Sequence, residues 1–274
     1  MIRAVTLVDV DRSRPAVPIV TLDDPARYNA LSGSLLTAVQ HTFRQLGNDR
    51  EARVVVLRGA GKGFCAGADL SGGGIQQAAP GAEGRGKVGT LLAFQQHLSD
   101  TVLTIHECPK PVIAAVHGAA IGGGLSLALA CDVRVCSDDA TFGARYIRMG
   151  LSSCEMGTSY LLPRIVGMAR AAELLLTGRD FGAPEAERIG MVHRVVPGEA
   201  LVEAALETAG LIAANSEYGV WTTKVGLSAA CDAPTLRHAI ELENRCQVIG
   251  ALTGNMLEAS RAFQEKREPE WRPL

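Results

Sequence analysis

The sequence has few aromatic residues, no long apolar run and little net charge. Phe, Trp and Tyr together make up 4% of the 274 residues, and the net charge at neutral pH is −2. A net charge this small does not favour nucleic acid or an anionic membrane as a partner. No apolar stretch reaches the roughly 20 residues of a membrane span, and the N-terminus lacks the apolar core of a signal peptide. We therefore expect a cytoplasmic protein with no membrane span and no nucleic-acid partner.

The seven cysteines lack the pattern of a disulfide framework and that of a metal site. Their number is odd, and no two of them form a C-x-x-C pair. Without a secretion signal we expect reduced thiols and no metal ion. A chain of this length buries roughly three-quarters of the surface that its unfolded form exposes, so its core needs no covalent staples.

Glycine, in contrast, is abundant, with 30 residues. Residues 112–116 form an apolar run typical of a buried strand, and three glycines at 122–124 then lead into a helix-forming string. Residues 62–70 repeat this order of strand, glycine turn and expected helix start after the apolar run 54–57. Such turns expose backbone N–H groups at a positive helix terminus, and glycine lets a ligand approach them. Two such turns predict a site that holds negative charge on an oxygen; tight helix packing is the alternative that the turns leave open.

Strand and helix patterns divide the chain into two regions. Residues 1–198 alternate strands and helices, among them a helix with Ser32 as its N-cap, and the stretch 140–143 is predicted to be a turn. After residue 201 the strand patterns stop, and four helices are predicted. We therefore expect an α/β core over 1–198 and a helical region over 199–274. Residues 71–87 are rich in glycine and poor in bulky apolar side chains, so we expect them to be mobile.

Five motifs, in this order and at this spacing, resemble the crotonase family of enoyl-CoA hydratases and isomerases. They are Phe64-Cys65-Ala66-Gly67-Ala68-Asp69-Leu70, Gly118-Ala119-Ala120-Ile121-Gly122-Gly123-Gly124, Cys131-Asp132-Val133-Arg134, Leu176-Thr177-Gly178-Arg179 and Ala186-Glu187-Arg188-Ile189-Gly190-Met191-Val192. The resemblance runs from about residue 5 to the C-terminus. It implies a crotonase-like spiral of ββα units with a C-terminal helical oligomerisation region, which forms trimers or dimers of trimers; a lid within the same chain is the alternative for these helices. It also implies an acyl-CoA substrate, with coenzyme A as part of the thioester and no permanently bound cofactor.

The resemblance also implies which residues form the site. The backbone N–H groups of Ala68 and Gly123 would act as an oxyanion hole that polarises the thioester carbonyl and stabilises an enolate-like intermediate. In this assignment Arg27 would meet a phosphate of coenzyme A; a solvated loop arginine is the alternative. Residues 71–87 would act as a gate to the acyl pocket. The full set of residues implied to contact substrate or coenzyme A is Arg27, Ala66, Asp69, Leu70, Gly122, Ser126, Tyr146, Phe263 and Lys266.

Two of these assignments concern the far end of the chain. The resemblance implies that Phe263 and Lys266 reach the nucleotide bound to a neighbouring subunit. A frayed and solvated terminal helix is the alternative for this segment.

The acid groups decide between the reactions of the family. The positions that carry the two glutamates of family hydratases are Ser126 and Tyr146 here, and a serine is a poor group for moving protons to and from water and carbon. One acid remains, Glu155, where some Δ3,Δ2-enoyl-CoA isomerases of the family have a single catalytic glutamate. One carboxylate suits removal of a proton from C2 of a 3-enoyl thioester and its return at C4. A charged residue at a helix start is the structural alternative for Glu155.

The sequence therefore favours double-bond isomerisation over hydration, within fatty-acid or related acyl-CoA metabolism. An enoyl-CoA hydratase with a different acid/base set and a catalytically inert acyl-CoA-binding protein stay open as alternatives. A dinucleotide-dependent dehydrogenase is disfavoured, because no Gly-x-Gly-x-x-Gly pattern follows the first predicted strand.

Overall fold

The computed structural model describes residues 6–69 and 80–274. Within these residues the chain forms nine strands, which are β1 Val8–Asp11, β2 Ile19–Leu22, β3 Val55–Gly59, β4 Val112–Val116, β5 Ala119–Ile121, β6 Val133–Ser137, β7 Thr141–Gly143, β8 Asp180–Gly182 and β9 Arg194–Val196. The α-helices of the same residues are α1 Gly33–Gly47, α2 Lys87–His106, α3 Gly123–Ala130, α4 Thr158–Val166, α5 Met168–Thr177, α6 Ala183–Arg188, α7 Leu201–Ala213, α8 Glu217–Asp232, α9 Leu236–Leu252 and α10 Asn255–Glu265. The predicted α/β fold class is confirmed.

Six strands form one sheet in the order β1-β2-β3-β4-β6-β9. Neighbouring strands are parallel except for the antiparallel pair of β1 and β2. Strands β5, β7 and β8 form a second, smaller sheet. Parallel strands that are covered on both faces are apolar throughout, which explains the unbroken apolar run of β4, whose five residues are all buried.

Alternate residues of the main sheet face two separate hydrophobic cores. Val55 and Val112 belong to the core that the sheet shares with α1, α2 and α3. Val56 and Ile113, one residue further along each strand, belong to the core shared with α7. The side chains of a strand alternate between its faces, so both cores are built from the same short apolar runs. Helix α7, the first helix after residue 198, therefore packs directly on the sheet.

Two ion pairs connect α8 to the loops around β4. Lys110 Nζ lies 2.8 Å from Glu217 Oε1, and Lys224 Nζ lies 2.8 Å from Asp132 Oδ2, with both lysine side chains only 12% exposed. Asp132 Oδ2 also accepts a 2.7 Å hydrogen bond from the N–H of Val112, the first residue of β4. Asp132 thus links the C-terminal helices to the centre of the sheet.

Most of the predicted elements are confirmed, including the four C-terminal helices and the N-cap Ser32, whose side chain accepts from the N–H of Leu35. The turn predicted at 140–143 is wrong, because Thr141–Gly143 forms β7. Strand β8 was not predicted either. Strand β5 was also not predicted. All three strands are three residues long, too short to show an alternating pattern, and they form because β7 pairs with both β5 and β8. Residues 71–87 were predicted to be mobile, and a helix start was predicted just before them. Residues 70–79 of this stretch lie outside the described residues.

Candidate active site

The turn after β3 and the turn before α3 lie against each other. Cys65 pairs with β5: its N–H donates to Ala119 O at 2.9 Å, and its carbonyl oxygen accepts from Ile121 N at 3.0 Å. Two residues later, Gly67 adopts φ +91°, and a Cβ at this position would lie 2.7 Å from Ile121 O and 3.3 Å from Gly123 N. Only glycine permits this approach, which brings the backbone around residue 68 next to the start of α3.

Two backbone donors at this contact are free within the described residues. The N–H groups of Ala68 and Gly123 have no hydrogen-bond partner there, whereas the flanking Gly67 O and Asp69 N both pair with the backbone of Leu31. Gly123 is the first residue of α3, so its N–H has no acceptor within the helix and lies at the positive end of the helix dipole. Two free donors at one contact form an arrangement that can bind an oxyanion.

Each of the three glycines at this turn meets a different requirement. Gly122 needs the left-handed backbone, with φ +54°, although a Cβ there would have room. A Cβ on Gly123 would lie 2.5 Å from Leu31 Cδ1, and one on Gly124 would lie 2.0 Å from Cys65 O. The triple glycine is therefore required both by conformation and by close packing of the two turns.

Ser126 and Tyr146 form a hydrogen-bonded pair beside this turn. The Ser126 hydroxyl is fully buried one helical turn after Gly122, and its Oγ lies 2.8 Å from Tyr146 Oη. Burial raises the pKa of the Tyr146 phenol, and the negative charge of Glu155 raises it further against the opposing effect of the Ser126 hydrogen bond. The two positions that the resemblance assigns to hydratase carboxylates therefore hold a neutral hydroxyl pair.

Glu155 stands on a tight turn that precedes α4. The next two residues, Met156 and Gly157, both adopt left-handed backbone, with φ +45° and φ +79°. Such a conformation is uncommon for methionine and is typically found where the surrounding structure holds it in place. Here the buried Met156 side chain packs beside Gly123, and Thr158 N donates to Glu155 O at 2.9 Å. The turn thereby fixes Met156, the residue directly after the half-buried Glu155, against the start of α3.

A residue that was not predicted completes this arrangement. Gln95 of α2 donates a hydrogen bond from Nε2 to Glu155 Oε1. Gln95 lies on the same face of the predicted helix as three apolar residues, Leu91, Leu98 and Val102. A polar residue within an apolar face was the signal that could have identified it.

Comparison with known proteins identifies the family of this chain. The sequence model described as enoyl-CoA hydratase/isomerase matches residues 12–273. The chain is 42% identical to a probable enoyl-CoA hydratase, EchA12, of Mycobacterium tuberculosis over 266 residues, which cover 97% of this chain and 92% of that protein. The chain belongs to the enoyl-CoA hydratase/isomerase family.

Solved structures of family members have the same fold. A probable enoyl-CoA hydratase/isomerase from Mycobacterium abscessus superposes with a TM-score of 0.91 at 43% identity, covering 97% of this chain and 98% of that one. A monofunctional enoyl CoA isomerase from M. smegmatis superposes with a TM-score of 0.72 at 40% identity, covering 86% and 98%. The crotonase-like α/β fold with C-terminal helices is thus confirmed, and the chain is an enzyme of this family.

Arg27, which the family resemblance assigned to a phosphate, lies between two carboxylates. Its guanidinium is 2.6 Å from Asp24 Oδ2 and 3.2 Å from Asp69 Oδ2. The hydrogen bond and charge of Asp24, and to a lesser extent those of Asp69, raise the pKa of Arg27. The Arg27 side chain remains 46% exposed, so a phosphate can reach it but has to compete with both acids.

Ala66, another residue assigned to substrate contact, lies on the neighbouring turn. It is exposed, and its N–H donates to Tyr28 O at 3.0 Å.

Two of the assigned residues, Phe263 and Lys266, lie at the end of the last helix, α10. Phe263 is 86% exposed on α10, and Lys266 ends that helix in a left-handed conformation. Their role toward a neighbouring subunit stays a prediction. Leu70 lies outside the described residues.

Two further observations concern metal ions and membranes. In residues 6–69 and 80–274, no cluster of three or more His, Cys, Asp or Glu side chains is arranged to hold a metal ion. No helix of the same residues is both long and apolar enough to cross a membrane.

Proposed function

We propose that this enzyme moves the double bond of an enoyl-CoA thioester, with Glu155 as its proton-transferring group. One observation supports this reaction over hydration. The carboxylate on the turn before α4 belongs to Glu155, whose neighbour Met156 packs beside Gly123, whereas the hydratase positions hold the neutral pair of Ser126 and Tyr146. Coenzyme A enters as part of the substrate, and no permanently bound cofactor is needed.

The proposed reaction conserves its protons. The Glu155 carboxylate removes a proton from C2 of a 3-enoyl thioester, and the electron pair of that bond shifts onto the thioester oxygen. The N–H groups of Ala68 and Gly123 stabilise this oxyanion, each donor contributing about 10²–10³ in rate. Protonated Glu155 then gives the proton to C4, which leaves a conjugated 2-enoyl thioester and the carboxylate as it began.

Two other ionisable groups near the turns, Cys65 and Tyr146, are poor bases and nucleophiles. Burial raises the pKa of the Cys65 thiol to about 12, so this cysteine stays protonated at neutral pH. The raised pKa of Tyr146 likewise keeps its phenol neutral. Neither Cys65 nor Tyr146 can therefore serve as the base at neutral pH.

The C-terminal helices support a second part of the proposal, which is assembly into trimers or dimers of trimers. Helices α8 to α10 expose large apolar side chains that a second chain could cover, namely Leu227, Leu236, Val248, Leu252, Met256, Leu257 and Phe263. Light scattering on the purified protein tests this, and a mass that stays at one chain over the accessible concentrations would contradict it.

The deciding test compares two charge-removing substitutions. Glu155→Gln removes the proposed base and is expected to lower isomerisation of 3-hexenoyl-CoA by about 10²–10⁴-fold. Glu199→Gln removes an exposed glutamate in the loop before α7 and is expected to keep the wild-type rate. Absorbance of the conjugated product reports both rates. Full activity of Glu155→Gln would disprove the proposal.

A further inference from the structure

We propose that Gln95 is a positioning residue that holds the Glu155 carboxylate in place for proton transfer; this inference rests on the proposed function. The Nε2 group of Gln95 donates to one oxygen of the carboxylate, Oε1. No other donor in the described part of the chain contacts either carboxylate oxygen. The second oxygen, Oε2, is therefore left to receive the substrate proton.

An amide is well suited to this role. A carboxamide N–H does not titrate near neutral pH, so it orients the carboxylate without competing for the proton that the carboxylate transfers. A single donor also defines the plane of the carboxylate, because rotation of Glu155 away from Gln95 breaks a hydrogen bond to a charged group. The same carboxylate has to serve two carbons of the substrate, C2 and C4, and a fixed plane keeps both within its reach.

Helix α2 holds the backbone of the Glu155 turn as well as its side chain. A Cβ on Gly157, two residues after Glu155, would lie 3.6 Å from Val102 Cγ1 of α2. Gln95 and Val102 are seven residues apart, so they lie on the same face of the helix two turns from each other. One rigid face of α2 therefore contacts the turn at two points.

A buried polar network in turn fixes α2 on α1. Gln40 of α1 donates from Nε2 to His97 O and to Thr101 Oγ1, both at 2.9 Å. Gln40, His97 and Thr101 are 6% exposed or less. Buried hydrogen bonds of this kind are costly to break, so the network resists sliding or rotation of α2. The position of Gln95, two residues before His97, is thereby set by the core of the protein.

A double-mutant cycle on the purified enzyme tests the inference. The variants are Gln95→Met, which keeps the size of the side chain and removes the donor, Glu155→Gln, and the two together. Gln96→Met changes the exposed neighbour of Gln95 and serves as the matched control. Each protein is assayed for kcat and KM on 3-hexenoyl-CoA in heavy water, with the deuterium content of the product measured by mass spectrometry.

Gln95→Met is expected to lower kcat by about 10- to 100-fold with KM nearly unchanged, the effect expected from loss of a hydrogen bond to a charged group. Deuterium incorporation should rise, because a loosened carboxyl group exchanges its proton before returning it. In the Glu155→Gln background the same substitution should have no further effect on the residual rate. Gln96→Met should match the wild type in every readout.

Two results would overturn this role. Gln95→Met could keep the wild-type kcat, or it could lower the rate equally in both backgrounds, which is the behaviour of a merely structural residue. If Gln95→Met does not fold, Gln95→Glu replaces it, because it has the same size and places a second negative charge beside Glu155. Full activity of Glu155→Gln would instead remove the proposed function, and this inference with it.

Discussion

Gly67 is the residue at which the structure makes its sharpest prediction. In Gly67→Ala, the new Cβ would lie 2.7 Å from Ile121 O and 3.3 Å from Gly123 N. The first distance is a clash with backbone, which a side-chain rotation cannot relieve. The turn that carries Ala68 therefore has to move away from the start of α3, and the two free N–H groups separate.

The cost of Gly67→Ala has two parts. The backbone at φ +91° is strained for alanine by about 1–2 kcal/mol. Overpacking against Ile121 O adds about 1–3 kcal/mol. The more restricted unfolded chain offsets about 0.4–1 kcal/mol of this. We expect a net loss of about 1–4.6 kcal/mol in unfolding free energy. We also expect a loss of at least about 10²-fold in kcat, the effect of removing one oxyanion donor.

Gly190→Ala is the matched control for backbone strain. Gly190 also has a positive φ, +76°, and no atom lies within 4 Å of its Cβ position. This variant should lose at most about 1.5 kcal/mol and keep its activity, since it has the strain without the clash. Chemical denaturation and turnover of 3-hexenoyl-CoA measure both quantities for both variants. A wild-type kcat in Gly67→Ala, or an equal loss of kcat in Gly190→Ala, would refute the reasoning.

Three other perturbations have defined outcomes. Asn29→Ala removes a buried amide that donates to the carbonyls of residues 60, 63 and 64. It should lower the unfolding free energy, measured by chemical denaturation, by about 2–4 kcal/mol. The control Asn48→Ala, at an exposed position, should lower it by about 0.5 kcal/mol or less. Tyr146→Phe removes the 2.8 Å hydrogen bond to the Ser126 hydroxyl and should cost about 1–3 kcal/mol in unfolding free energy. Because the neutral phenol is not the base, kcat should persist, whereas KM reports any contact of Tyr146 with substrate; loss of kcat would argue against this. Hydrogen bonding to the arginine at position 267 lowers the pKa of Glu258 to about 2, below its ordinary 4.5. Its stabilising effect is therefore present above about pH 4.5 and lost as the pH falls toward 2, and Glu258→Gln should flatten acid unfolding curves in that window.

Features that depend on local sequence could be predicted. The apolar run of β4 reads as a buried strand because both faces of the strand are covered. Ser32 is recognisable as an N-cap, since the cap requires one side-chain oxygen three residues before an N–H. The glycines at 122–124 indicated a close backbone approach, and the structure shows what approaches, namely Leu31 and the carbonyl of Cys65.

Features that depend on packing between distant residues could not be predicted. Gln95 and Glu155 are 60 residues apart, and their contact arises because α2 packs beside the turn before α4. The left-handed backbone of Met156 has no signature in the sequence, because it is held by tertiary contacts rather than favoured by methionine. The ion pairs of Arg27 with Asp24 and Asp69 were likewise not predicted. Asp69 is 42 residues from Arg27 in the sequence, so only the fold brings the two side chains together.

The most direct measurement incubates the wild-type enzyme and Glu155→Gln with 3-hexenoyl-CoA and, separately, with crotonyl-CoA in heavy water. Product identity and deuterium content are followed for each. Isomerisation of 3-hexenoyl-CoA that is lost in Glu155→Gln, with no hydration of crotonyl-CoA, is the result we predict. Hydration of crotonyl-CoA would show an acid/base set other than Glu155, and binding of both thioesters without any turnover would show an inert acyl-CoA binder; either result would contradict the proposed reaction.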